Sequence, residues 1–201
     1  MGRLRETPSQ TAGPYVHIGA VPTFAGLKGV YPEDLGSGPM YEEGVKGERI
    51  TIKGHIFDGS GTPLLDGVVE AWQADADGIY NSPLEPRGPS DPKFRGWGRS
   101  ATMGTDGVFT FETIKPGRVP WHDGRMQAPH IALWIVARGI NIGLHTRMYF
   151  PEELDANAND PLLSRIEQKV RRETLLAEEK NGVYLFDIHL QGNDETVFLD
   201  V

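Results

Sequence analysis

From residue 48 onward the chain alternates in character. Ile50, Ile52 and Ile56 are apolar, Thr51, Lys53 and His55 between them are polar, and the run closes on Asp58-Gly59-Ser60-Gly61. A period of two ended by turn formers predicts a half-buried strand. The same pattern predicts strands over residues 68–73, over 108–113 after the Thr105-Asp106-Gly107 turn, and over 145–150. Residues 130–137 are almost wholly apolar between Pro129 and Gly139, which predicts a strand covered on both faces. Asn181-Gly182 sits between residues 174–180 and 183–190, where Tyr184, Phe186, Ile188 and Leu190 alternate with Asp187 and His189. That is the pattern of a hairpin closed by a type I′ turn. Residues 195–201 supply a last strand. Helix is scarce: Asp160 as N-cap, Pro161 at the first helical position and Leu162, Leu163, Ile166 and Val170 along one side predict one short helix, with a weaker one at 151–156. Seven or eight short strands separated by turns predict a mostly β protein, an antiparallel β-sandwich or a barrel. Trp72, Trp121 and Trp134 are expected to fill its core.

Residues 1–47 behave differently. They carry Pro8, Pro14, Pro22, Pro32 and Pro39 with many glycines and no sustained period. They read as an extended arm and irregular loop that a partner could order, leaving 48–201 as the sandwich of a one-domain chain.

Composition then removes whole classes of chemistry. The 201 residues include no cysteine, so disulfides, thiolate zinc, iron–sulfur clusters and a thiol nucleophile are excluded. Lys and Arg number 20 against 28 Asp and Glu, a formal charge of −8 that argues against a nucleic-acid binder. The longest apolar stretch, 131–137, is far short of the ~20 residues of a membrane span, and the N-terminus shows no signal-peptide core. No membrane association and a cytoplasmic location are expected. There is no GxSxG elbow, Walker loop or HExxH, and the GxG triplets at Gly36, Gly59 and Gly96 lack a third glycine. What remains is a set of polar residues placed where loops meet strands: Tyr80, His130, Arg138 and His145.

Several longer stretches carry a family signature. TPSQTAGPYVHIG (7–19), EAWQADADGIY (70–80), DPKFRGWGRSAT (91–102), TIKPGRVPW (113–121), APHIALWIVARGINIGLHTRMYF (128–150) and RRETL (171–175) resemble, in the same order, the intradiol ring-cleaving dioxygenases. The likeness spans nearly the whole chain. It implies a β-sandwich that holds one non-haem Fe(III) with two tyrosinates and two histidines, hard donors that suit a ferric ion. By that resemblance the first Tyr is Tyr80, whereas the second falls on Val119. The two histidines of an HxH pair fall on His130 and Ala132, and an arginine preceding that pair falls on Gln127. Residues two apart on a strand share a face, so the HxH spacing makes physical sense as a ligand pair.

Val119 and Ala132 have no lone pair to give, so the resemblance implies a degenerate site, with no catalytic residue and no metal on this chain. Tyr80 and His130 then read as packed loop and core residues. The implied role is a non-iron subunit that completes the pocket of an iron-bearing beta subunit within a higher αβ oligomer. Together they would cleave an aromatic diol acid with O2 between its hydroxylated carbons. In the implied pocket, Thr11, Gly13, Pro14 and Tyr15 of the arm form a close wall with two hydroxyls. Arg138 either steers an anionic substrate at its mouth or pairs with a carboxylate of its own chain. Two other readings stand beside this one. The first is a non-enzymatic scaffold or ligand-binding protein derived from the same fold. The second, a homomeric enzyme, would need substitutes for Val119 and Ala132.

Overall fold

The structure is a computed structural model that describes residues 12, 13, 15–102, 104–141 and 143–200. Its strands run β1 (Arg49–Gly54), β2 (Ile56–Phe57), β3 (Val68–Trp72), β4 (Trp97–Ala101), β5 (Phe109–Ile114), β6 (His130–Val136), β7 (Leu144–Tyr149), β8 (Glu178–Lys180), β9 (Val183–Leu185) and β10 (Ile188–His189). They build a four-stranded sheet in the order β5-β1-β9-β8, a second in the order β4-β3-β6-β7, and a small β10-β2 pair. The alternation over residues 48–58 is thus one strand broken at His55 into β1 and β2.

Between the two large sheets lies the core. Ile50, Ile52, Phe109 and Phe111 from one sheet meet Val69, Ala71, Ile131, Leu133, Ile135 and Met148 from the other. Burying each of these larger side chains contributes about 1.5–3 kcal/mol, and together they fix which face of each strand points inward. The residues left on the outer face of the second sheet follow from the register. Trp72 is opposite Ala132, Ala132 opposite Arg147, and His130 opposite Tyr149. A second, smaller cluster of Ala128, Tyr149, Ala156, Leu163 and Leu175 closes over this outer face at the start of β6.

Several expectations are corrected. The tryptophans do not fill the core: Trp72, Trp121 and Trp134 all keep some exposure, and Trp72 and Trp134 stand on the outer face. Residues 195–200 form no strand; only Leu199 bridges His145. The helix expected from Asp160 is a 3-10 turn, Leu163–Arg165, followed by extended Ile166 and then a separate α3 (Lys169–Glu173). Arg172 Nε donates to the Ile166 carbonyl at 2.6 Å, which takes that acceptor from any continuing helix. The weaker helix is present, shifted to α2 (Leu154–Ala158). Strand β4 was not anticipated, nor was α1 (Tyr15–Ala20) inside the segment expected to be irregular.

That segment is also ordered by its own chain. Asp34 accepts the Thr23 and Phe24 N–H groups at 2.8 and 2.9 Å. Arg99 donates to the Ala20 carbonyl at 2.8 Å, and Arg99 N–H to the Gly36 carbonyl at the same distance. Residues 20–41 therefore dock along β4, covering what would otherwise be an exposed sheet edge.

Candidate functional site

Two loops and two strands meet at the outer face of the second sheet. The first loop follows β3. Asp75 Oδ1 accepts the N–H groups of Asp77 and Ile79, and the turn delivers Tyr80 onto Trp72, the rings stacked at 6.0 Å and 5°. The Tyr80 N–H donates to Glu85 Oε2 at 3.2 Å, and Glu85 grips Arg87 with both oxygens. The second loop follows β5 and folds back on itself, with Gln127 N–H donating to the Val119 carbonyl at 2.9 Å. The two loops touch where Gly78, at φ +78°, lies against the Arg118 carbonyl; a side chain there would collide with that oxygen.

Val119 is buried at 2% exposure, Gln127 at 6% and His130 at 4%. The Nδ1 of His130 lies 2.8 Å from the Ala128 carbonyl. A carbonyl only accepts, so Nδ1 carries the proton and Nε2 the lone pair. Burial holds His130 neutral down to about 3, and the nearby Arg147 charge adds to the effect. Tyr149 stacks obliquely over it, ring centroids 5.6 Å apart, and its hydroxyl is pushed up by burial and by the Asp160 carboxylate. Burial also raises Tyr80, partly offset by the charge of Arg147. Arg147 is thus the common neighbour of Tyr80, His130 and Tyr149. Its Nη1 donates to Gln127 Oε1 at 2.7 Å.

The four positions that the resemblance ties to a ferric ion do not make a site for one. Tyr80 and His130 offer one oxygen and one nitrogen, Val119 is an aliphatic side chain, Ala132 a methyl group, and an arginine cation sits among them. Among the described residues no group of three or more His, Asp or Glu side chains could hold a metal. The donor set does not fit ferric iron.

The remaining expected residues lie apart from this cluster. Thr11 and Pro14 fall outside the described residues. Gly13 is half-buried and its carbonyl accepts the Val16 N–H at 3.1 Å, while Tyr15 is exposed. Arg138 stands beyond the far end of β6 from His130, 71% exposed, with Nη2 2.6 Å from Asp66 Oδ2. Sequence reasoning missed Arg147, Tyr149 and the second role of Asp160, whose Oδ2 accepts the Ala128 N–H at 2.8 Å. The alternation along β7 puts Arg147 and Tyr149 on one face, but only the register with β6 shows which residues they oppose.

Comparison with known proteins gives this arrangement its context. A family described as dioxygenase matches residues 22–192. The protocatechuate 3,4-dioxygenase alpha chain of Pseudomonas putida is 45% identical, covering 98% of this chain and 97% of its own. The alpha chain of the same name from Burkholderia cepacia is 38% identical over the full length of both. The beta chain from Burkholderia cepacia is 35% identical over 75% of this chain and 67% of its own. Among solved structures, the dioxygenase domain of a dioxygenase–carbohydrate-binding fusion from Streptomyces sp. SirexAA-E superposes with a TM-score of 0.54 at 23% identity, covering 96% of this chain and all of that one, a likeness of fold. With its β-sandwich and its full-length identity to alpha chains, the chain belongs to the intradiol ring-cleavage dioxygenase family.

Proposed function

We propose that this chain is the non-iron alpha subunit of a protocatechuate 3,4-dioxygenase, paired with an iron-bearing beta subunit in a higher αβ oligomer. The complex would cleave protocatechuate with O2 between its hydroxylated carbons to 3-carboxy-cis,cis-muconate. The observation that carries the reading is the pairing of full-length identity to alpha chains with a metal-type pocket that has lost half its donors. The iron belongs to the beta subunit, where it supplies the activation of substrate for O2.

In this reading the chain contributes wall, charge and interface. Thr11, Gly13, Pro14 and Tyr15 line the partner's pocket, and Arg138, exposed on one side of its pair with Asp66, draws the carboxylate of the substrate toward it. Ile18, Phe24, Leu27, Val30, Tyr31 and Leu35 are all exposed along the docked arm, an apolar run that suits a subunit contact. No helix among the described residues is long and apolar enough to cross a membrane. A cytoplasmic location of the complex is part of the same proposal. A scaffold with no enzyme partner is not favoured, since the relatives matched over the full length are dioxygenase subunits.

The test is iron content and visible colour of the chain alone and co-expressed with its beta-type partner. A colourless, iron-free lone chain and a coloured complex that consumes O2 with protocatechuate are expected. Stoichiometric ferric iron in the lone chain, or a complex with no activity on protocatechuate, would sink the reading. Removal of residues before Val16 should raise KM in the complex more than it lowers Tm.

A further inference from the structure

Arg147 lies beside the metal-type positions, and its charge acts on Tyr80, His130 and Tyr149. Cross-strand partners project on the same face of a sheet, so its side chain shares a face with Ala132, the position from which a second imidazole is missing. The guanidinium donates to Gln127 Oε1 at 2.7 Å and makes a long contact of 3.5 Å with the Tyr149 hydroxyl, which in turn reaches Asp160 Oδ1 at 3.4 Å. Among the described residues Arg147 enters no ion pair, whereas Arg99, Arg138 and Arg171 meet Glu70, Asp66 and Glu195. Its acceptors are a neutral amide and a phenol, so no carboxylate hydrogen-bonds to the cation that acts on Tyr80 and His130.

We propose that the Arg147 guanidinium is this chain's internal substitute for the metal ion: it fills the space left at Ala132, supplies a fixed positive charge there, and bars a ferric ion from the pocket. The proposal rests on the non-iron reading above but reaches further, because it names a cause of the exclusion other than the missing donors. Coulomb repulsion between a trivalent ion and a guanidinium is about three times that between two unit charges at the same separation. The bond to Gln127 also ties β7 to the 119–127 loop, so the pocket closes with no metal to hold it. Arg147 is here a positioning and excluding residue and touches no reacting atom.

The test compares full-length chains that differ only at position 147. A132H and A132H/R147M share three donors, namely Tyr80, His130 and the introduced imidazole. V119Y/A132H and V119Y/A132H/R147M form a second pair with a fourth donor. Each is titrated with ferric nitrilotriacetate, and bound iron is read by metal analysis and by the visible phenolate-to-iron band. In whichever pair is folded by circular dichroism, iron should be held at least about tenfold more tightly once Met replaces Arg147. Equal uptake within a folded pair, whether both bind or both stay bare, overturns the proposal. V119Y/A132H/R147K separates charge from shape: it should stay iron-poor, and uptake equal to that of the Met variant overturns the electrostatic cause. Failure of the alpha-subunit reading shows instead in the co-expressed complex and leaves this comparison intact.

Discussion

The Asp160 carboxylate receives three backbone N–H groups: Ala128 on Oδ2, and Leu162 and Leu163 on Oδ1, all at 2.8 Å. It is wholly buried, and it fastens the approach to β6 to the 3-10 turn that covers it. Asp160→Ala would leave these donors unsatisfied and should cost about 3 kcal/mol, read as a lower urea midpoint, with Asp160→Asn losing less. Glu85 makes a second residue-scale test. The Arg87 hydrogen bonds, helped by the Tyr80 N–H, hold its carboxyl down at about 2. A depressed folded pKa means stabilisation that is fully present above the ordinary carboxylate pKa of 4.5 and is lost as pH falls toward 2. Wild type should exceed Glu85→Gln by about 1 kcal/mol at pH 6, a value reduced for the part-exposed guanidinium, and the gap should close on acidification. A gap that does not change with pH would show that the carboxylate charge is not what orders the Tyr80 loop. At this scale Tyr80 and His130 were legible because their motifs are contiguous in sequence. Arg147 was not, since its meaning lies in what it faces across two strands.

Among the elements, the strands with clean alternation were the ones that could be read. The Asn181-Gly182 hairpin is present with φ +55° and +79° at its two turn residues, as a type I′ turn demands. It is shorter than its flanks implied, because Phe186 N–H turns to the Lys53 carbonyl and β10 leaves to pair with β2. Strand β4 was hidden by its own composition: Gly96 and Gly98 interrupt any period, and Gly98 leaves room for the Met40 and Phe111 side chains, which would stand 3.0–3.3 Å from a Cβ there. The helix beyond Asp160 failed for a different reason, a side-chain donor from α3 capturing the Ile166 carbonyl. The contact of the two site loops is testable at the same scale. Gly78→Ala meets both a positive φ and the Arg118 carbonyl, and should lower stability by about 2–3 kcal/mol. Trp fluorescence should change with it, because Trp72 is stacked on the residue that the turn delivers.

For the whole molecule, the sandwich could be inferred from its strands, whereas the arm could not. An irregular, proline-rich segment gives no period, and its docking on β4 depends on the side chains of Arg99 in that distant strand and of Arg95 just before it. The apolar run that the docked arm presents predicts a separation of fold from assembly. Phe24→Asp with Leu27→Asp should leave the thermal midpoint of the lone chain within about 2 °C while abolishing co-purification with the beta-type partner. Intact co-purification would place the subunit contact elsewhere. The pairing of β9 with β1 has a consequence for how the chain is made. Thr51 finds its neighbour Val183 only after the whole intervening stretch of both sheets has been made, and β1 is flanked on one side by β5 alone until then. A nascent chain that has emerged only as far as Lys180 therefore carries an open β1 edge with Ile50 and Ile52 on it. Yield of soluble protein should accordingly rise with slower translation or added chaperone, and a chain stopped after Lys180 should aggregate even though the second sheet is complete.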